Sequence, residues 1–225
     1  MTNKLEKKEL EEPDKLTVLF LKIRSFIETH RSKIYLGAGI AAVIFLLAGG
    51  IYLYRANYEN SAAGFYNGIL TAHAKVGSPA GDEALTKGLK ELISKYPRSN
   101  SASLGHYRLG NLSYSRRAYN EAEASYHAFI KRASPDNDLI ALAYSGLGAC
   151  AEQKKELKKA LEFYDLAMKT KAASSFEGVN YFNIARVYEG LKDNKKAAEF
   201  YQKALLKTTD PVRSILIKRK LSLLS

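Results

Sequence analysis

The sequence has one cysteine, no tryptophan, five prolines and two methionines in 225 residues. A single thiol, Cys150, can close no internal disulfide and build no cysteine-rich zinc site. A small buried residue on a helix is the reading it favours, because free cysteine packs as an apolar group. With proline scarce and Leu, Ala, Lys, Glu and Tyr abundant, long stretches are free to be helical. The histidines His30, His73, His106 and His127 are scattered, with no second ligand at metal spacing. No G-x-S-x-G, H-E-x-x-H or phosphate-binding loop occurs. Gly146-Leu147-Gly148 resembles a fragment of a dinucleotide loop but sits inside a helical pattern. The expectation is a chain without cofactor, metal or catalytic site.

One long stretch lacks charge altogether. Residues 34–54, IYLGAGIAAVIFLLAGGIYLY, lie between Lys33 and Arg55. At about 1.5 Å per residue they rise about 31 Å, the thickness of a bilayer's hydrocarbon core. Tyr35, Tyr52 and Tyr54 stand near the two ends, where amphipathic rings favour the interface. A buried core helix would carry a polar stripe, and this segment has none. A cleaved signal peptide would have a shorter apolar region after a short basic start; here 33 residues with six acids come first. The segment therefore reads as an uncleaved transmembrane anchor. Lys22, Arg24, Arg31 and Lys33 precede it and Arg55 alone follows closely, so the positive-inside rule keeps the N-terminus cytoplasmic and sends the remainder across.

Residues 1–15 form a mixed-charge tail. From Leu16, the residues Leu19, Phe20, Ile23, Phe26 and Ile27 recur at helical spacing among basic groups. Such a helix can lie in the headgroup layer or face a partner. Gly37 with Ala41, and Ala38 with Ala42, are small-xxx-small pairs, a common feature of spans that can also mark a dimer face.

The rest of the chain repeats itself. Segments beginning at Ser103, Ala141 and Gly178 align with starts 38 and 37 residues apart. Leu109, Leu147 and Ile184 are each followed by a small residue: Gly110, Gly148 and Ala185. Twelve positions on stand Ala122, Ala160 and Ala197, then Tyr126, Tyr164 and Tyr201. Phe129 breaks the next position, which is Ala167 and Ala204 elsewhere. The pattern predicts antiparallel helix pairs in which a small residue of helix A faces a small one of helix B. The tyrosine would fill the space beside that contact. No pair buries its apolar face alone, so stacking is required.

These residues resemble the tetratricopeptide repeat: aromatic, two residues, Leu-Gly, then Ala, aromatic, Ala. His106, Tyr144 and Tyr181 hold its first aromatic position. The departures are His106, Phe129 and a few extra linker residues per repeat. The expected fold is all-α: a single N-terminal transmembrane helix followed by a TPR-type α-solenoid of helix pairs. The expected divisions are a cytoplasmic leader with an amphipathic helix at 1–33 and the span at 34–54. A degenerate first helix pair at 55–102 follows, with Ala62, Phe65, Tyr66 and Ile69 on one helix, a turn at Gly77, Pro79 and Gly81, and Leu85, Leu89 and Leu92 on the next. Three repeats occupy 103–210, and a closing helix at 211–225, capped by Asp210, seals the last apolar face.

In this family helix A lines a concave groove. The resemblance therefore implies a partner-binding surface of Tyr107, Asn111 and Tyr114 in the first repeat and Glu152 and Gln153 in the second. The third adds Phe182, Arg186 and Glu189. Some of these aromatics could instead pack the next repeat. Tyr107 stands where the family's carboxylate clamp needs Lys, so that clamp is not matched.

The formal charge is +12, and about +9 lies beyond Arg55. The clusters Lys154-Lys155, Lys158-Lys159, Lys195-Lys196 and Lys218-Arg219-Lys220 read as solvated helix faces or as sites for anionic headgroups or acidic polypeptide. With this orientation nucleic acid is out of reach. The whole layout is similar to the YfgM-type family, ancillary subunits of the bacterial Sec translocon, through its leader, span, SAAGFYNGIL helix, repeats and closing KRKLSLLS helix. That resemblance implies a bacterial inner-membrane protein with a periplasmic C-terminal domain. Its partners would be the Sec translocon, a periplasmic prolyl-isomerase-type chaperone and nascent secreted chains. A periplasmic scaffold for envelope assembly or cell-division coordination is the alternative. A mitochondrial import receptor is a third reading, though such receptors are usually longer.

Overall fold

The computed structural model describes residues 15–76, 79–171 and 173–224, and all of its regular structure is helical. The tail expected at 1–15 lies outside the described residues except for Lys15, as does Gly77 of the expected turn. Two compact units divide the chain at residue 56.

In the first unit the described residues belong to α1, Lys15–Val76, which contains the leader stripe, the uncharged segment and the opening of the next unit. Among the described residues it holds the one segment long and apolar enough to cross a membrane, by length and composition. Its side chains are exposed: Phe45 is 78% accessible and Leu46 72%.

The second unit starts at Asn57, within α1, and continues through α2 Pro79–Lys95, α3 Asn100–Ser115, α4 Tyr119–Arg132 and α5 Leu139–Gln153. Then come α6 Leu157–Met168, α7 Ala173–Gly190, α8 Asn194–Lys207 and α9 Pro211–Leu224. α2 begins at Pro79, a first-turn position that proline's fixed φ suits, and not after the expected turn.

Caps explain several helix starts. The Ser99 hydroxyl accepts from the Ala102 N–H at 3.0 Å, and the Asp193 carboxylate from the Lys196 N–H at 3.1 Å. Asp210 accepts from Val212 at 2.9 Å, ahead of Pro211; a cap of this kind contributes about 1 kcal/mol. Helices α3, α5 and α7 share one way of ending. Arg117, Lys155 and Lys192 adopt φ of 62°, 64° and 61°, and the next residue's N–H reaches back to Ser113, Ala151 and Tyr188. This is the Schellman stop, with a basic residue in the left-handed position that glycine usually takes.

The core is a line of four clusters, each joining a helix pair to its successor. Ala62 and Tyr66 of α1 pack with Leu85, Leu89 and Leu92 of α2 and Leu109 of α3. Ala122, Tyr126 and Phe129 of α4 meet Ile140, Ala143 and Leu147 of α5. Tyr164 of α6 meets Ile184 and Val187 of α7, and Tyr201 of α8 lies with Ile217 of α9. Each helix pair thus touches only its neighbours, the quasi-one-dimensional arrangement of a solenoid.

The contact beside the small residue is close. Where helix A carries glycine, the nearest side chain of helix B is the tyrosine ring, and in the third repeat Ala185 lies in one cluster with Ala197 and Tyr201. A Cβ added to Gly110 would stand 2.6 Å from the Tyr126 ring, and one at Gly148 2.7 Å from Tyr164. A Cβ on Gly146 would also meet Tyr126 at 2.6 Å, so that ring is held between α3 and the following α5. Ala122, Ala160, Ala167, Ala185, Ala197 and Ala204 are fully buried around these contacts. An aromatic ring needs a flat bed, and a residue without a side chain provides one.

Candidate partner-binding surface

The helix A face predicted to bind partners is built from α3, α5 and α7, with α5 in contact with both of the others. Its centre is a charged pair. The Arg186 guanidinium on α7 donates through Nε and Nη2 to the two oxygens of Glu152 on α5, at 2.6 and 2.8 Å. That fork-to-fork geometry suits a planar guanidinium. The hydrogen bond from Arg186 to Glu152 pushes the arginine's pKa further up, and the Tyr164 hydroxyl donates to the same carboxylate at 3.3 Å. Arg186 also lies 5.8 Å from the centre of the Phe182 ring.

The arrangement recurs one pair later. Tyr201 donates to Glu189 at 2.8 Å, and Lys220 of α9 donates to its other oxygen at 2.7 Å. Desolvation is the largest single influence on Glu189 and raises its pKa; the hydrogen bonds from Lys220 and Tyr201 together outweigh it, so the net shift is downward. The first repeat lacks the carboxylate, having Tyr114 at that position. Tyr126 there donates to Asn111 at 2.7 Å. Burial raises the Tyr114 pKa, with Arg186 opposing.

The structure therefore brings Tyr114, Glu152, Arg186 and Phe182 into one group, and Glu189 into a second with Lys220. Tyr107 is half-buried against Phe129, ring centres 5.4 Å apart, which explains how a large side chain fits where the other repeats have alanine. Gln153 is exposed and accepts a long hydrogen bond from Tyr119 at 3.4 Å. Asn111 and Gln153 present the most open amides of the set. Two participants escaped the sequence reading. Lys220 was one member of a basic run, and Gly146 one glycine of a loop fragment. Their roles depend on the offset between stacked pairs, which a linear pattern does not reveal.

Much of the positive charge is paired. Lys154 reaches Glu123 at 3.1 Å and Glu156 at 3.3 Å; Lys159 reaches Glu156 at 3.2 Å. Lys196 stands 5.1 Å from the Tyr188 ring centre. Cys150 is fully buried, and burial pushes its thiol pKa up to about 12. Among the described residues no group of His, Cys, Asp and Glu is placed to hold a metal ion.

The tetratricopeptide repeat-like domain family matches residues 24–225. The chain belongs to that family. Tetratricopeptide repeat-like domains are helical scaffolds for protein–protein contact, and this chain has their fold. Among solved structures it is similar to MamA, with 19% identity over 68% of this chain and 81% of that one and a TM-score of 0.55. A second MamA structure gives 18% identity over 72% and 81%, at 0.56. A Pseudomonas aeruginosa pilF structure gives 12% identity over 77% and 83%, also at 0.56. At these identities the likeness concerns the fold alone. No curated protein matches the chain.

Proposed function

We propose that this protein is a membrane-anchored repeat scaffold that binds other proteins at the outer face of a bacterial inner membrane and carries out no catalysis. It would act as an ancillary subunit of the Sec translocon, together with a periplasmic prolyl-isomerase-type chaperone, and assist newly translocated chains. The observation that carries the anchor is the run 34–54, whose apolar side chains are exposed over a length that suits a bilayer. Left in water they would cost about 25 cal/mol per Å² of apolar surface, a cost that lipid removes. The four basic residues Lys22, Arg24, Arg31 and Lys33 on one side support a cytoplasmic N-terminus. The tie to the translocon rests on the resemblance in layout.

On the repeat domain, Tyr107, Asn111, Tyr114, Glu152, Gln153, Phe182, Arg186 and Glu189 would form the peptide-facing surface. Glu152, Arg186 and Glu189 would be its pre-paired floor, and Asn111, Gln153 and the aromatic edges would make the contacts. Aromatics among fixed polar groups suit peptide recognition, because little entropy remains to be lost on binding.

A detergent pull-down of the tagged full chain tests the assignment. Recovery of translocon and chaperone components is expected, and Gln153→Arg, at an exposed side chain, should reduce it without altering the melting temperature. Enrichment of cell-division or envelope-assembly complexes instead would favour the alternative scaffold role. Protease digestion of intact spheroplasts should degrade the repeat domain; protection would place it in the cytosol and end the proposal.

A further inference from the structure

The closing helix α9 has two apolar faces, and only one is used. Ile217, Leu221 and Leu224 turn back onto Tyr201 and Ala204 of α8, and Lys220 takes the Glu189 carboxylate of α7. Arg186 of α7 takes Glu152 of α5 in the same way. Toward the preceding pair, α9 thus behaves as another helix A. Every earlier helix A is then covered by its own helix B, as α7 is by α8 through Phe182 on Tyr201 and Tyr181 on Phe200.

The uncovered side is not polar. Val212, Ile215, Leu216 and Leu223 are 75%, 69%, 42% and 72% exposed. With Arg219 they fall at i, i+3, i+4, i+7 and i+11, the spacing of a single stripe, opposite the buried face. A helix that merely ended the solenoid would show water a polar side. Arg219, at the middle of the stripe, has no carboxylate partner among the described residues.

We infer that this stripe is a docking site for an acidic amphipathic helix of a different protein, which packs on α9 in the way each earlier helix B packs on its helix A. The apolar contacts continue an established interface, the stacking of helix pairs. The charge selects the partner. α9 carries Arg213, Lys218, Arg219 and Lys220 with no acid, so a second copy of α9 laid on the stripe would set like charges together. A carboxylate within the partner's apolar face would meet Arg219 instead. The inference needs a protein partner but not the helix A surface, so either can fail alone.

The test is photo-crosslinking in the native membrane, on the full chain with p-benzoylphenylalanine replacing Ile215 or Leu223, followed by sequencing of the crosslinked segment. Lys195, exposed on α8, serves as control site. The expected product is an acidic amphipathic helix of another protein, captured at positions 215 and 223 and not at 195. Arg219→Glu should cut the yield about tenfold and Arg219→Lys should retain most of it. Because the stripe is exposed, the melting temperature should not change. Crosslinks to a second copy, to lipid, to residues 1–14 of the same chain or to nothing would each overturn the inference, as would a yield indifferent to Arg219→Glu.

Discussion

Arg186 donates to both oxygens of the Glu152 carboxylate across the boundary between neighbouring helix pairs, at 2.6 and 2.8 Å. Glu152 is the less exposed partner, its side chain 15% accessible against 40% for Arg186. Removing the carboxylate strands a half-buried cation and the Tyr164 hydroxyl together. Glu152→Ala should destabilise the domain by about 2 kcal/mol, with a smaller loss for Glu152→Gln, which keeps an acceptor. A double-mutant cycle with Arg186→Ala in urea should give a coupling of at least about 0.5 kcal/mol. Strictly additive losses would show that the pair holds nothing together.

Glycine positions should separate by sign. Gly110→Ala gains helix propensity of about 1 kcal/mol, but its Cβ meets a Tyr126 ring that Gly146 blocks from behind. Overpacking costs about 1–3 kcal/mol, so a net loss is expected. Gly68→Ala, with nothing within 4 Å, should be neutral or stabilising. Thermal melts of the two variants check the contrast.

Lys155 is held in the left-handed region at φ 64°. That conformation costs a non-glycine residue about 1–2 kcal/mol, partly offset by glycine's larger loss of freedom on folding. Lys155→Gly should therefore raise stability by up to about 1 kcal/mol, measured as an upward shift in denaturation midpoint. Lys158→Gly, inside α6, should lower it.

Acid sensitivity should trace to Glu189. Its pKa lies below the ordinary value of 4.5 in the folded protein, so the folded state binds its proton less readily than the unfolded chain. The stabilisation is complete above the unfolded value and disappears as pH falls through the folded one. Glu189→Gln should flatten the fall in melting temperature below about pH 5, and Lys220→Met should do the same. An unchanged acid limb in both would remove Glu189 from the account.

Cys150 should be silent in the native state. Burial raises its pKa to about 12, leaving almost no thiolate at pH 8, and the thiolate is the nucleophile. Reaction with a soluble disulfide reagent should occur only in denaturant, at a rate that follows unfolding.

The repeats were legible because each packing position demands a residue size. Leu109 with Gly110, Leu147 with Gly148 and the buried tyrosines recur at fixed spacing, since the helices that carry them meet at the same places. The uncharged run at 34–54 was legible because composition and length alone suffice for it. How closely Tyr126 approaches Gly110 was not legible, because alanine and tyrosine of helix B stand one turn apart and the pattern does not say which of them lies nearer the glycine.

Sequence alone thus determined an all-helical chain with a long apolar segment and paired helices, since those features arise from local spacing and side-chain size. Tertiary structure decided that Tyr126 sits between Gly110 and Gly146, that Glu152 and Glu189 take cations from Arg186 and Lys220, and that one face of α9 remains open. Each of these depends on how far one helix pair is displaced along the next, and only packing in three dimensions sets that displacement.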